Sequence, residues 1–395
     1  MLSANKQATL QRWENPRLAG RILELDGVRG LAILLVLLWH YVISVMPAPD
    51  HFWQKHLVSP LRLSWSGVDL FFVLSGFLIG GILLDAKKSK TYFRTFYLRR
   101  FYRIGPIYFL WLSLFFIGLA ATRSGMLIGY HSIFNDRVPL WTYTVFIQNV
   151  FMAIRSTYGA EWLSVSWSLA VEEQFYLLLP FAIWRLQPRG LLRLVLISIV
   201  CGPAIRVCLY LSGSTYYGPY TLLPCRADAL GLGVLVALLV RHEAAWNWLV
   251  ANRTWLYASL LAILPIGAVL WSQLPSASLT KVGMGYTILD VPYALLLLLL
   301  IVKPVKVERS VFRCRLLVKL GTVAYAVYIF HQGVNCFYHA AAFGKEPSVR
   351  NWATLGVTTI SLLTVLALVA VSWRYIEKPL IVRAHSRYRY EIEAS

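Results

Sequence analysis

The chain is poor in charge, and poorer still in acid. Asp, Glu, Lys and Arg make up 14% of its 395 residues, against about 25% in an ordinary soluble domain. Only 18 side chains are acidic, against 38 Lys and Arg. With 58% hydrophobic residues and a mean hydropathy of +0.60, a soluble fold would expose far too much apolar surface. That excludes a water-soluble protein and makes lipid the expected solvent, because apolar side chains can then face outward. Cysteine is scarce as well. Cys201, Cys208, Cys225, Cys314 and Cys336 form no C-x-x-C pair and no cluster with histidine, so neither a disulfide framework nor a metal site is expected. No internal repeat or low-complexity linker is visible. Residues 1–29 are polar and mixed in charge. The first apolar run ends in Met46-Pro47-Ala48-Pro49, a poor signal-peptidase site, so the run is expected to be a retained helix.

A bilayer span takes about 20 mainly apolar residues. Ten segments qualify: 30–46, 66–84, 101–119, 167–185, 191–212, 222–241, 254–272, 284–302, 316–338 and 352–373. The expected fold is therefore an all-α integral membrane bundle of about ten transmembrane helices. Segment 141–154 is apolar but short, and reads as an interfacial or re-entrant piece. With the N-terminus inside, Lys and Arg of the inner segments outnumber those of the outer loops by about three to one. Both termini are then cytoplasmic, with a 1–29 segment, a 30–373 membrane domain and a 374–395 tail. A net charge of +20 could point to nucleic acid in a soluble chain. Here the basic residues sit in short loops between apolar runs, so no nucleic-acid partner is expected. The long outer connection 120–166 holds Trp141, Tyr143 and Trp162, which suit either sugar stacking or an interfacial belt.

Ionisable groups inside spans are costly and mark candidate sites. His40 lies beyond the apolar run Leu31–Leu38, and Arg29 precedes it by eleven residues. Eleven residues make just over three helical turns, a rise of roughly 16 Å, which sets the two on nearly the same face. Arg29 would sit at the inner edge and His40 about halfway across a core of about 30 Å. An anion held at the edge could send a long arm to His40, and coenzyme A has that shape. Arg99, Arg100 and Arg103 open the third span, where the planar guanidinium suits phosphate; a positive-inside anchor explains them equally. In Trp167-Ser168-Leu169-Ala170-Val171-Glu172-Glu173, two adjacent carboxylates sit in an apolar helix, with Ser168 and Glu172 on one face. Either carboxylate could orient an imidazole or bind a sugar hydroxyl; the bland alternative is acid favoured by a helix dipole. Asp69, Arg206, Arg226, Asp228 and His331 are further intramembrane candidates, and Tyr325, Tyr328 and His331 recur on one helical face. Each could equally be an interhelical hydrogen bond.

Taken together, these stretches resemble the acyltransferase 3 family of bacterial membrane proteins, which O-acylate envelope sugars and some other hydroxyl acceptors. The resemblance rests on Asp26-Gly27-Val28-Arg29-Gly30 running on to His40, Gly67-Val68-Asp69 through Ser75-Gly76, and Arg99-Arg100-Phe101-Tyr102-Arg103. It continues in Ser166-Trp167-Ser168 through Tyr176, Tyr325 through His331, and Ile376-Glu377-Lys378-Pro379. It implies an essential His40 partnered by Arg29, and acyl-CoA taken from the cytoplasm at a bacterial inner membrane. The extra hydrolase-like domain of some members is expected to be missing. The mechanism expected is acyl transfer, most simply acetyl, from acyl-CoA as co-substrate, with no tightly bound cofactor. The acceptor is a glycan or glycolipid hydroxyl reached from the extracytoplasmic side. Arg99, Arg100, Arg103 and Arg29 would hold the coenzyme, and His40 would act as general base or acyl carrier. Glu172 or Glu173 would orient it, while Asp69, Ser168 and His331 would line the substrate site. The rival reading is a secondary transporter or channel running through His40, Glu172 and Asp69; a third is a non-catalytic partner in polysaccharide assembly.

Overall fold

A chain that must satisfy every backbone N–H and C=O without water has few options, and the long apolar runs take the helical one. A computed structural model describes residues 22–47, 61–275 and 278–391. Among them the regular structure is helical, with no strand. Ten long helices occupy the ten expected positions: α1 Leu23–Leu38, α2 Gly67–Asp85, α3 Tyr92–Arg123, α4 Ser166–Arg185, α5 Pro188–Leu211, α6 Leu223–Arg241, α7 Arg253–Gln273, α8 Tyr286–Ile301, α9 Arg315–Phe343 and α10 Trp352–Ser372. Eight helical stretches are long and apolar enough to cross a membrane, or nine when the bent pair Lys306–Phe312 and Arg315–Phe343 counts as one. The remaining helix, α4, has 20 residues but carries Glu172-Glu173-Gln174 in its first half. Prolines stand inside α3, α4, α5, α7 and α8. Neighbouring helices can re-satisfy the carbonyls such prolines free in a membrane bundle.

Three boundaries differ most from the expected ones. Helix α1 begins seven residues before position 30, because its first turn is anchored: Glu24, 2% exposed, accepts from Arg313 at 2.9 Å. Helix α3 starts at Tyr92 rather than 101, so its arginines are helical. After α10 the chain continues through a π turn at Trp373–Glu377 and a helix at Lys378–Arg387. The residues beyond that helix dock on the start of α3: Arg389 C=O accepts from Thr91 Oγ1 at 2.8 Å and Thr95 Oγ1 at 3.1 Å. Segment 141–154 forms two short helices, Trp141–Thr144 and Gln148–Arg155, neither long enough to span. Expectations for residues 1–21, Ala48-Pro49 and 392–395 lie outside the described residues.

Two helix crossings are made by glycine. A Cβ at Gly321 of α9 would lie 1.8 Å from Asp26 O, and one at Gly30 of α1 would lie 2.0 Å from Leu317 O. Likewise a Cβ at Gly76 of α2 would lie 2.1 Å from Leu230 O of α6. Small residues that let backbones touch are how helices associate where lipid removes the hydrophobic drive. Gly321→Ala therefore forces α1 and α9 apart. It should lower stability by about 1–3 kcal/mol, read as an earlier thermal transition in detergent. Gly356→Ala, with nothing within 4 Å of its Cβ, should leave the transition in place.

Candidate active site

The crossing of α1 and α9 borders a cavity of about 160 Å³, walled also by α2, α3 and α4. Along α2 it runs from Val68 to Ile82, roughly 21 Å at 1.5 Å per residue. Arg29, Arg100 and Arg103 line it, drawn from α1 and the first turns of α3. Arg29 also pairs with Asp26 at 2.5 Å. In the middle, Glu172 lines the wall beside Ser75 and Tyr176, whose hydroxyls are 2.7 Å apart. The Arg100 guanidinium lies 5.5 Å from the Tyr176 ring centroid, within cation–π range. At the far end, Ser168 Oγ and Tyr328 OH are 2.5 Å apart, and both contact Val165 O at 3.2 Å. Phe71 packs edge-on against Tyr328 at 6.2 Å. Three guanidinium groups face one lining carboxylate, so the cavity favours an anion, and its far half is apolar and hydroxylic.

His40 and His331 sit just beyond this far end. Helix α1 changes at Trp39–Ile43 into a π turn that carries His40, the kind of single-turn bulge that often marks functional positions. The His40 ring is half-buried and meets His331 edge-on, with centroids 4.8 Å apart and planes at 68°. His331 is 0% exposed, and its ring lies 5.7 Å from that of Tyr328. Neither histidine lines the cavity; Tyr328 is the shared wall between them. Tyr41 OH donates to His331 O at 2.8 Å, tying the π turn to α9.

The structure thus brings together Arg29, Arg100, Arg103, Ser168 and Glu172, with His40 and His331 next to them. It places three other candidates elsewhere. Arg99 donates its Nε–H to Tyr388 O at 2.7 Å and stacks 5.2 Å from the Tyr390 ring, so it ties down the C-terminal segment outside the cavity. Glu173 does not line the cavity, and its Oε1 is buried without a hydrogen-bond partner. Asp69, 0% exposed, forms an ion pair with Arg226. That arginine is caged by Tyr286, Tyr220 and Phe72 at 4.6, 5.2 and 5.6 Å. Beside it Arg206 bonds Asp228 at 2.8 Å and Thr287 at 2.7 Å. Phe72 separates this charged cluster from the cavity, since it borders both. Sequence reasoning did not single out Ser75, Tyr176 or the wholly buried Asp290 of α8. Tyr176 had a signal: it follows Glu172 by four residues and shares its face.

Outside the helices, the 120–166 connection is folded against the bundle. Trp162 stacks on Trp111 at 4.0 Å with planes 12° apart. Glu161, whose carboxyl burial pushes above its usual range, lies 3.3 Å from Gln332 Nε2. So Trp162 is half-buried and packed on a span, whereas Trp141 is exposed.

Comparison with known proteins adds an independent line. A sequence profile described as "Acyltransferase domain" matches residues 22–374. The chain is 24% identical over 371 residues to peptidoglycan O-acetyltransferase OatA of Listeria monocytogenes, covering 90% of this chain and 55% of that protein. It is 24% identical over 376 residues to O-acetyltransferase OatA of Staphylococcus aureus, covering 90% and 56%. The chain thus spans about half the length of these relatives. No solved structure matches it.

The separation of Asp69 from the cavity has a measurable consequence. Removing one partner of a buried ion pair leaves a bare charge and typically costs about 3–5 kcal/mol. Asp69→Ala should therefore reduce the yield of monodisperse protein on size exclusion. A well-folded Asp69→Ala protein with only a raised Michaelis constant for acceptor would instead restore Asp69 to the substrate site.

Proposed function

The chain belongs to the acyltransferase family whose domain matches residues 22–374, and we propose that it is a multi-pass membrane O-acyltransferase. In this reading it moves an acetyl group from cytosolic acetyl-CoA to a hydroxyl of an envelope glycan. The observation that carries the reading is the cavity itself, with three arginines along one part of its wall and a histidine pair behind the other end. Arg100 and Arg103, with Arg29, hold the coenzyme phosphates through paired donors. The pantetheine arm runs along the apolar wall of α2 toward Tyr328. The thioester then lies near His40, where bulk water is kept out by the bundle. Two relatives that match 90% of this chain are named for acetyl transfer, in one case onto peptidoglycan, which supports this reading. A peptidoglycan-type glycan on the outer face is accordingly the acceptor class proposed here.

The chemistry is an ester exchange. The acceptor hydroxyl loses its proton to His40, and its oxygen attacks the thioester carbonyl. The C–S bond breaks as the C–O bond forms, and the proton passes on to the departing thiolate. In the covalent variant the acyl group rests first on the His40 imidazole and the hydroxyl then displaces it. Glu172, set beside Ser75 and Tyr176 rather than beside His40, fixes the cavity wall near Arg100 instead of orienting the imidazole.

Two variants test this in proteoliposomes with labelled acetyl-CoA. His40→Ala should cut transfer by about 10²–10⁴-fold, the usual contribution of positioned proton transfer, with unchanged elution on size exclusion. Near-normal transfer, or coenzyme-independent uptake of a solute, would contradict the assignment. Arg100→Ala with Arg103→Ala should raise the Michaelis constant for acetyl-CoA while kcat changes little, the pattern of lost uniform binding. An unchanged constant would reduce those arginines to topology anchors.

A further inference from the structure

The hydrogen bonds around the two histidines determine which ring nitrogen of each carries a proton. His331 Nδ1 lies 2.7 Å from Tyr328 O. A carbonyl oxygen can only accept, so Nδ1 carries the hydrogen and donates it. The Nε2 of a neutral His331 is then a bare lone pair. That lone pair faces His40 Nδ1 at 3.3 Å. His40 Nδ1 also lies 3.0 Å from Val36 O, a second pure acceptor. Two acceptors around one nitrogen require an N–H there. His40 is therefore protonated on Nδ1, shared between Val36 O and His331 Nε2. Its Nε2 is left as the unprotonated nitrogen.

From this geometry we propose that His331 is a positioning residue that, together with Val36 O, holds His40 in the Nδ1–H tautomer and makes Nε2 its proton-accepting, or acyl-accepting, atom. The inference rests on the reading of His40 as the reacting base and specifies how that base is set up. Which tautomer an imidazole adopts is set by the hydrogen bond its other nitrogen makes. A proton arriving on His40 Nε2 leaves every contact intact, because Nδ1–H still meets two acceptors. A proton arriving on His331 Nε2 would set it donor to donor against His40 Nδ1–H. The pair is thus asymmetric: His40 can take up a proton without rearrangement, and His331 cannot. The bond from Tyr41 OH to His331 O, at 2.8 Å, fixes the α9 backbone against the π turn and keeps the two rings in register.

The direct test is nitrogen NMR on the wild-type protein in lipid with ¹⁵N-histidine, the His40 signals being assigned by their loss in His40→Asn. A protonated Nδ1 and a bare Nε2 at neutral pH support the proposal; a protonated Nε2 overturns it. This readout does not depend on turnover. The predicted tautomer in a protein that transfers no acyl group would sink the function and leave the tautomer standing. Substitution gives the second arm. His331→Gln can place an amide oxygen near the lost Nε2, so it should keep the His40 tautomer and retain transfer within about tenfold. His331→Leu leaves Val36 O as the acceptor at His40 Nδ1, so the ring loses the contact that aims it across the interface, and kcat should fall by about 10² or more with the Michaelis constant for acetyl-CoA unchanged. A His331→Leu protein that keeps both the tautomer and wild-type kcat would refute a positioning role.

Discussion

Helices α1 and α9 cross with backbone against backbone, Gly30 and Gly321 leaving no room for a Cβ atom, and the rest of the site is built outward from that contact. Arg29 and His40 are on α1; Tyr328 and His331 are on α9. Only when the two helix axes come this close can one imidazole hydrogen-bond the other across the interface, at 3.3 Å. The same closeness brings Arg29 to the edge of the cavity that α9 also borders. In lipid nothing pulls two apolar helices together beyond packing and hydrogen bonds. The glycines and the polar pair therefore have to act as one device.

The charged residues of the bundle fall into two groups with opposite fates. Arg206 and Arg226 are 0% and 1% exposed and matched with Asp228 and Asp69. Burial of that kind is acceptable only with close partners, and it adds rigidity behind the cavity wall. Arg100 and Arg103, with Arg29 held by Asp26 at their side, instead line the cavity, where Glu172 is the lining carboxylate. An excess of positive charge left facing a cavity is what a phosphate-bearing ligand needs.

Much of this was legible in the chain. The ten helices follow from apolar run length, and His40, Arg29 and the Arg100-x-x-Arg103 pair stand out because a charge in a span is costly. The 3.6-residue period correctly sets Tyr325, Tyr328 and His331 on one inward face: they bond Ile104 O, Ser168 and His40. What the sequence could not supply is partner choice. Asp69 and Glu172 look alike as acids near the start of apolar helices, yet one is matched to Arg226 and the other lines the cavity. That difference depends on α6, more than 150 positions away from Asp69. Arg99 and Arg100 are adjacent, but a helix turns about 100° per residue, so one meets the C-terminal segment and the other the cavity. The π turn at His40 has no pattern of its own in the sequence.

The account stands or falls on what the cavity binds. An electron cryo-microscopy structure with coenzyme A added would measure it most directly. The account predicts the phosphates within hydrogen-bond reach of Arg100 and Arg103. It also predicts the pantetheine arm along α2 and the sulfur next to Tyr328 and His40. Coenzyme bound the other way round, or an empty cavity at saturating coenzyme, would contradict it.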